Sequence, residues 1–207
     1  MEAIDQNKNP GILLIMTGST ASGKDTVIKK LLQKYPDFSK IITTTSRVPR
    51  PGEIEGKDYY FVSREKFLQM IEDGKFLETV EYSKNYYGTT KSEIKKVLTG
   101  KNMIWKIEAT MAARAKKYFT EIFDQISAEK IINRMLVIFI TTPDKATLIR
   151  RLASRGMREE AIQVRFKTDA ENWTKLQNRF EHVIVNTDGK LTETIDQISD
   201  LITKKFD

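Results

Sequence analysis

The chain has 207 residues, of which 40% are hydrophobic and 30% charged, and its formal net charge at pH 7 is +7. Length and composition predict one soluble globular domain with small inserted parts. There is no cysteine and a single histidine, His182, which excludes disulfides, thiolate metal sites and histidine clusters. No apolar run is long enough to cross a membrane. The polar residues 1–10 lack the apolar segment of a signal peptide, so we expect a disordered leader on a cytoplasmic protein.

The positive charge bears on the kind of partner. A basic protein can bind nucleic acid, but this chain has no long block of lysine and arginine, and much of its charge lies near candidate phosphate sites. Small polyphosphates therefore explain the charge as well, and we expect neither a nucleic-acid nor a membrane partner.

The first elements are a strand, a glycine-rich loop and a helix. The apolar run 12–16 predicts a buried strand, and residues 24–35 have helical spacing that stops near Pro36. The loop between them has the spacing G-x-x-x-x-G-K, and in this context backbone N–H groups wrap a phosphate chain. We therefore predict a triphosphate site here, and we name residues 18–26 the phosphate loop. Its members are Gly18, Ser19, Thr20, Ala21, Ser22, Gly23, Lys24, Asp25 and Thr26.

Residues 42–100 are rich in short strands and turns, which predicts an inserted substrate lobe. We expect strands at 41–44, 59–62 and 76–82, and a turn at 86–88. Helices should follow Ser63, closing at Gly74, and Ser92, closing at Gly100.

The remainder alternates between strands and helices. Strands are predicted at 103–108, which we expect to be central, and at 135–140 and 183–185. Helical patterns cover 110–130, as one or two helices, and 143–154, 159–179 and 191–206. Buried strands separated by helices indicate an α/β fold with a parallel sheet and right-handed crossovers. An arginine-rich hairpin at about 150–165 should lie over the open end.

A second motif follows the second predicted strand. Arg47 and Arg50 lie three residues apart in a proline-stiffened loop, so both guanidinium groups can bind one phosphate. Taken alone, the loop can equally be a solvated basic surface.

The surrounding stretch 43–61, T-x-x-S-R-x-P-R-x-G-E-x-x-G-x-D-Y-x-F, resembles the signature of guanylate kinases. The resemblance covers residues 12–206 and keeps the family's motifs in order. Besides the phosphate loop these are Phe76-Leu77-Glu78, Tyr86-Tyr87-Gly88-Thr89, Arg151-Leu152-x-x-Arg155-Gly156 and Val183-Ile184-Val185-Asn186.

The resemblance implies a three-layer, parallel-sheet P-loop kinase core of residues 11–41 and 101–207. It also implies an inserted monophosphate-binding lobe of residues 42–100 and a small arginine-rich lid at 150–165. The implied activity is that of an ATP:GMP phosphotransferase, with the nucleotides ATP and GMP as partners and Mg²⁺ bound with ATP. The residues implied for the GMP phosphate are Arg47, Arg50, Tyr59 and Tyr87, and those implied for guanine are Thr43, Glu78, Thr89 and Glu108.

The implied chemistry is consistent with these residue types. Carboxylates accept from the ring N–H and the exocyclic amine of guanine, and threonine hydroxyls donate to its carbonyl. Lys24 would bridge the β- and γ-phosphates, and Arg47 would align the acceptor. Arg155 and Arg165, with Arg151 behind them, would close over the transferring group. Asn186 would contact the adenine ring.

The chain departs from the family's pattern at four places: Ala21, Asp25, Lys106 and Thr110-Met111, of which the last replaces the usual Gln-Gly. Ala21 stands where the loop usually has glycine, which strains the turn if the position needs a positive φ. Asp25 replaces the small or hydroxyl residue after Lys24, and Lys106 stands where the family has an aspartate. One hypothesis is an exchange, in which Asp25 supplies the carboxylate of the metal shell through water and Lys106 pairs with it or neutralises phosphate charge. The other is a weakened active site in which Lys106 only forms a salt bridge.

Two other functions are compatible with the same motifs. One is a related P-loop phosphokinase with another acceptor, such as a different nucleotide or a phosphorylated sugar. The other is a guanylate-kinase-like binding module that has lost catalysis. The guanine-facing set argues against the first, and Lys24 with the arginine lid argues against the second.

Overall fold

The computed structural model of the protein describes residues 9–154, 156–162 and 177–206. Most of the expected leader, residues 1–8, lies outside this range. The strands in chain order are Leu13–Gly18 (β1), Phe38–Lys40 (β2), Thr44–Thr45 (β3), Tyr60–Phe61 (β4), Phe76–Tyr82 (β5), Asn85–Thr90 (β6), Asn102–Lys106 (β7), Met135–Thr141 (β8) and His182–Val185 (β9).

The described helices connect these strands. They are Lys24–Lys34 (α1), Arg64–Glu72 (α2), Lys91–Lys95 (α3), Ala109–Ala112 (α4), Ala115–Ile122 (α5), Gln125–Asn133 (α6), Lys145–Ala153 (α7) and Leu191–Phe206 (α8). A 3-10 helix at Lys96–Thr99 follows α3 directly. No helix in this part of the chain is both long and apolar enough to cross a membrane.

A parallel sheet of five described strands, in the order β2–β7–β1–β8–β9, forms the centre of the structure. The predicted α/β class with a parallel sheet is thereby confirmed. The expectation that strand 103–108 is central is confirmed in that β7 is paired on both sides, with β2 and β1, although β1 occupies the middle of the sheet. Ile107 and Glu108 fall beyond β7, since Glu108 caps the helix that follows.

Alternating side chains of β1 face two separate cores. Leu13 and Ile15 pack with residues of β7 and of α4, α5 and α6, including Trp105 and Phe119. Leu14 and Met16 pack with α1 and α8 on the opposite face. Helices on both faces of a parallel sheet make three layers, and they explain why β1 is apolar at every position from 13 to 16.

A second sheet of four described strands, in the order β4–β3–β6–β5, lies within residues 44–90. Two predictions were wrong here. Of the expected strand 41–44, only Thr44 lies in a strand (β3), and residues 41–43 form the connector from β2 to β3. The turn expected at 86–88 lies inside β6; the chain instead reverses at Ser83 and Lys84, which have positive φ. The proposed lobe boundaries stay predictions.

Several helix ends differ from the predictions. Thr90, not Ser92, caps α3. The pattern at 110–130 forms three short helices, because Asp124 caps α6 and breaks the expected run. Asp144, directly after Pro143, caps α7. Strand 76–82 and helix 191–206 match their predicted bounds. The helix predicted at 159–179 lies outside the described residues over 163–176.

Candidate active site

The phosphate loop turns the carboxyl end of β1 into α1. Gly18 and Gly23 have φ of +138° and +87°, which glycine alone adopts without strain. Gly23 is the N-cap of α1 and supplies no side-chain cap, and the N-terminus of a helix after a glycine-rich loop is suited to binding an anion. The ammonium of Lys24 lies in the loop, donating to the carbonyl oxygens of Gly18 at 2.9 Å and Ser19 at 2.6 Å. The loop therefore has the shape and polarity of a phosphate cradle.

Ala21 is the strained position of this loop. Its φ of +58° is left-handed, so the position does favour glycine, as the departure from the family pattern suggested. Its methyl group is buried against Leu148, Leu152 and Ile162. That packing offsets part of the strain, which explains how alanine is accommodated.

Asn186 and Arg151 donate hydrogen bonds to carbonyl oxygens of the phosphate loop. The Asn186 amide donates to the Ser22 carbonyl at 2.7 Å, and a Cβ on Gly23 would lie only 2.4 Å from that amide nitrogen. Arg151 donates to the carbonyls of Ala21 at 3.2 Å and Asn186 at 2.9 Å. These residues thus contact the loop directly, a role that the sequence did not predict.

The same residues border a cavity of about 230 Å³ beside the loop, lined also by Thr187, Asp188 and Gly189. Asp188 pairs with Arg151 at 2.6 Å and also with Arg150. Arg155 and Arg165, predicted for the lid, lie outside the described residues.

Asp25 and Lys106, the two coupled departures, are in contact. The Lys106 ammonium donates to Asp25 Oδ1 at 2.7 Å, across the carboxyl ends of β1 and β7. Partial burial acts to raise the pKa of Asp25, but the bond from Lys106 and the charges of Lys106, Lys24 and Lys40 outweigh it, so the pKa lies below its ordinary value. Asp25 is therefore ionised at neutral pH. The pairing is present, as both the exchange hypothesis and the simple salt bridge allow.

Asp25 does not belong to a ready-made metal site. Among the described residues, no group of three or more His, Cys, Asp or Glu side chains is placed to hold a metal ion. A magnesium ion here would take most of its ligands from substrate phosphates and water, as Mg²⁺ usually does.

On the acceptor side, Arg47 is held in place. Its Nη2 bonds both oxygens of Glu53, at 2.8 and 2.9 Å, and its guanidinium lies 5.5 Å from the centre of the Tyr59 ring. The Glu53 carboxylate and, less strongly, the Tyr87 hydroxyl raise the pKa of Arg47. The Tyr59 and Tyr87 rings meet edge to face, with centres 6.0 Å apart. Three predicted phosphate-binding residues thus form one cluster.

The two arginines of the motif, Arg47 and Arg50, have different environments in the structure. Arg47 is mostly buried, whereas Arg50 is exposed and contributes its backbone N–H to Glu53 at 2.7 Å. Glu53, which lies in the quoted signature but was assigned no role, is the residue that organises this loop.

Glu78 and Thr89 are brought together by the β5–β6 pair. Glu78 Oε1 accepts the Thr89 N–H at 3.0 Å, and the Thr89 hydroxyl accepts the indole N–H of Trp105 at 3.1 Å. Burial raises the pKa of Glu78 above its ordinary value, although the bonds from Thr89 oppose the shift. Thr43 lies on the neighbouring connector, where its carbonyl accepts the Tyr60 N–H.

Glu108 has a structural contact that was not predicted. It is exposed, and its Oε2 caps α4 by accepting from the backbone of Thr110 at 2.9 Å and Met111 at 3.4 Å. No contact among the described residues joins Glu108 to Glu78, so the guanine-facing pair of carboxylates remains a prediction for Glu108.

Glu93 is a buried residue that sequence reasoning missed. A signal was present, because Thr90-x-x-Glu93 has the spacing of a capping box. Thr90 does cap the Glu93 N–H, at 3.4 Å, but the Glu93 carboxylate binds elsewhere, accepting from Ile42 N–H and the Tyr60 hydroxyl, each at 3.1 Å.

Comparison with known proteins identifies relatives of the chain. The family model of guanylate kinase matches residues 11–205. Guanylate kinase of Trichormus variabilis is 35% identical over 185 residues, which cover 88% of this chain and 86% of the relative. Guanylate kinase of Prochlorococcus marinus strain MIT 9312 is 38% identical over 197 residues, covering 94% and 98%. The crystal structure of guanylate kinase from Anaplasma phagocytophilum aligns with a TM-score of 0.63 and 26% identity, covering 98% of this chain and 90% of that one.

Two substitutions in the phosphate loop give a prediction and its control: Gly18→Ala and Ala21→Gly. Gly18→Ala would place a Cβ 1.9 Å from the Ile140 carbonyl oxygen, so we expect a loss of about 2–3 kcal/mol in the free energy of unfolding and loss of ATP binding. Ala21→Gly relieves a left-handed φ but removes a buried methyl, so the free energy should change by less than about 1 kcal/mol. Urea unfolding and ATP titration measure both. Equal effects of the two substitutions would contradict the geometry.

Proposed function

The chain belongs to the guanylate kinase family, and from this premise we propose that it transfers the γ-phosphoryl group of ATP to GMP, giving ADP and GDP. The observation that carries the proposal for this chain is the Glu78–Thr89 pair, fixed by Trp105 at the end of the second sheet. It supplies an ionisable acceptor and an oriented hydroxyl beside the Arg47 cluster.

Guanine would be recognised by matched donors and acceptors. The Glu78 carboxylate retains acceptor sites for the ring N–H and the exocyclic amine of guanine. The Thr89 hydroxyl accepts from Trp105 and is also hydrogen-bonded to the Glu78 carboxylate. When the base binds, its proton would turn from that carboxylate to the guanine carbonyl. Adenine presents an amine where guanine has the carbonyl and has no ring N–H, so it would leave buried polar groups unpaired. We assign Thr43 and Glu108 to the same base, with Glu108 also capping α4.

The GMP phosphate would be held by Arg47, Arg50, Tyr59 and Tyr87. Because Glu53 and the Tyr59 ring already fix Arg47, little side-chain entropy is lost when this residue binds an anion. The exposed Arg50 would close on the phosphate from solvent.

On the donor side, the N–H groups of the phosphate loop would hold the β-phosphate, and the Lys24 ammonium would exchange its carbonyl partners for β- and γ-phosphate oxygens. Phosphoryl transfer needs alignment and neutralisation of charge more than covalent participation by the protein. Arg155 and Arg165 would complete that neutralisation. Arg151 and Asn186 would support the loop, and Asn186 borders the cavity where we place the adenine ring.

Mg²⁺ would enter with ATP, and it would neutralise charge on the phosphates. The residues present fit such an ion, because the Asp25 carboxylate is ionised and stands in the first turn of α1 beside Lys24. We propose that Asp25 accepts from metal-bound water while Lys106 holds the carboxylate in position.

A coupled assay that follows ADP release with ATP and a panel of nucleoside monophosphates tests the proposal. We expect kcat/KM for GMP to exceed that for AMP by at least about 100-fold, since mismatched buried polar groups are expensive. Comparable turnover of another acceptor would indicate a different phosphokinase. Tight GMP binding without turnover would indicate a binding module. A cytoplasmic location, where free nucleotides are present, is part of the proposal and is tested by cell fractionation.

Glu78 generates a prediction about pH. Only the ionised carboxylate accepts two hydrogen bonds from guanine, and burial holds its pKa above the ordinary value of 4.5. We therefore expect KM for GMP to rise as the pH falls towards that raised pKa, at a higher pH than an ordinary glutamate would require. Glu78→Gln should lower kcat/KM for GMP by about 100-fold and remove this part of the pH dependence.

The GMP phosphate titrates in both proteins, so the difference between the two pH profiles isolates Glu78. Glu81→Gln, on the exposed part of the same strand, is the matched control and should leave KM unchanged. Identical profiles for wild type and Glu78→Gln would remove Glu78 from the base site.

Asp25 and Lys106 generate a prediction about Mg²⁺. Asp25→Ala should lower Mg²⁺-dependent turnover by about 10–100-fold, the usual range for losing a group that orients metal ligands. Lys106→Asp should do the same, because it places two carboxylates together. The double variant Asp25→Ser/Lys106→Asp removes that repulsion and should recover much of the activity. Full Mg²⁺-dependent activity in Asp25→Ala would refute the exchange and favour a simple salt bridge.

A further inference from the structure

Glu93 is a buried carboxylate at the boundary between the two sheets. It lies on α3, and only 4% of its side chain is exposed. Removing a carboxylate from water is unfavourable by several kcal/mol unless it is paired and hydrogen-bonded. A buried carboxylate is therefore expected only where its hydrogen bonds and ion pair are needed to hold the surrounding segments in place.

Those contacts join separate segments of the chain. Oε2 accepts the Ile42 N–H at 3.1 Å, and Ile42 lies on the connector 41–43 that leads from β2 to β3. Oε1 accepts the Tyr60 hydroxyl of β4 at 3.1 Å and also binds the Lys96 ammonium. Since Glu93 itself lies on the segment returning to the central sheet, one carboxylate links the outgoing and the returning connections between the sheets.

Each linked segment carries a residue that we assign to GMP. Ile42 precedes Thr43, Tyr60 follows Tyr59, and Thr90, which caps the Glu93 N–H, follows Thr89. Neighbouring Cα atoms are about 3.8 Å apart across a rigid peptide. A displacement of any Glu93 partner therefore displaces a GMP-binding residue with it.

We propose that Glu93 is a positioning residue for the acceptor nucleotide: it holds Thr43, Tyr59 and Thr89 in their mutual arrangement through Ile42, Tyr60 and the Thr90 cap. The inference rests on the proposed function. Glu93 makes no contact with the phosphate loop among the described residues, so its influence falls on GMP and not on ATP.

The chemistry explains why a carboxylate is used. Three donors converge on Glu93: an amide N–H, a phenol O–H and an ammonium. A carboxylate accepts from all three. Glutamine keeps the shape and one acceptor oxygen for Ile42. The Tyr60 hydroxyl can rotate to accept from its amide, and the Lys96 side chain, which is 35% exposed, can turn to water. Alanine leaves the Ile42 N–H and the Tyr60 hydroxyl without this partner.

Steady-state kinetics with each substrate varied in turn, together with calorimetric binding of GMP and of ATP, test the proposal. Glu93→Ala should raise KM and Kd for GMP by about tenfold or more, while those for ATP change by less than about twofold. Glu93→Gln should lie within about threefold of wild type for GMP, and Tyr60→Phe, which removes one bond to Oε1, should raise KM for GMP by about threefold. Glu81→Ala is the exposed control.

The possible outcomes distinguish failure of the inference about Glu93 from failure of the proposed function. Proportional increases for GMP and ATP would show a general structural role and overturn the proposal, as would unchanged GMP constants in Glu93→Ala. If Glu93→Ala does not fold, Tyr60→Phe decides: a GMP-specific increase supports the proposal, and no increase overturns it. Wild-type protein that turns over no GMP would refute the proposed function and the inference with it. An active wild type with unaffected variants would refute the inference alone.

Discussion

The site depends on one constraint, the sharp reversal of a fully buried strand. β1 is covered on both faces and paired on both edges, so its carboxyl end cannot continue and must turn within six residues, 18–23, into α1. The Gly18 backbone therefore lies against the Ile140 backbone, closer than any side chain allows. The reversal places the N-terminus of α1, with its partial positive charge, at the carboxyl edge of the sheet. Lys106, Glu108 and Asn186 are at the same edge because their strands, β7 and β9, are parallel to β1.

A second regularity is that four basic side chains in and around the site have acidic partners. Arg47 pairs with Glu53, Arg151 with Asp188, Lys106 with Asp25 and Lys96 with Glu93. In a chain with a net charge of +7, unpaired cations clustered for phosphate binding would repel one another. The carboxylates reduce that repulsion and fix the direction of each cation. The exposed pair Lys106–Asp25 contributes little stability on its own, so its main effect is on geometry.

Local signals predicted part of this arrangement. The strand, loop and helix at residues 13–34, strand 76–82 and helix 191–206 each combine a clear apolar period with end signals nearby, and they were found where predicted. Predictions failed where tertiary contacts decide. The connector 41–43 reads as strand because Ile41 and Ile42 are β-branched and apolar, but these residues cross between two sheets, and Glu93 takes the Ile42 N–H. Tyr86-Tyr87-Gly88 reads as a turn because of its glycine, yet that glycine is needed for close packing against Glu78 and Phe76.

In the candidate site, too, local features could be read from the sequence, whereas contacts between distant segments could not. The resemblance to the family proposed Arg47, Arg50, Glu78 and Thr89, since residue type and order along the chain are local properties. It did not separate a fixed Arg47 from an exposed Arg50, nor show that Trp105 orients Thr89, because those facts depend on pairing between distant segments. Glu93 escaped notice for a related reason. The helix cap was assigned to Ser92, which drew no attention to Glu93, and the Glu93 partners Ile42 and Tyr60 lie 51 and 33 residues away.

The departures from the family pattern at positions 25 and 106 are best understood together. A lysine at position 106 alone would add a third ammonium beside Lys24 and Lys40, and its charge already acts to lower the pKa of Lys40, after the larger effect of burial. A carboxylate at position 25 alone would stand in the first turn of the helix that receives phosphates, where it would repel them. The Lys106 ammonium and the Asp25 carboxylate are 2.7 Å apart. A more distant charge therefore meets a nearly neutral pair, while each group can still form hydrogen bonds. Either change makes the other tolerable, so the pair has the coupling expected of residues in direct contact. The chain can thus depart from the pattern at both positions while the local charge changes by only one unit, from −1 for a hydroxyl residue with an aspartate to 0 for the Asp25–Lys106 pair.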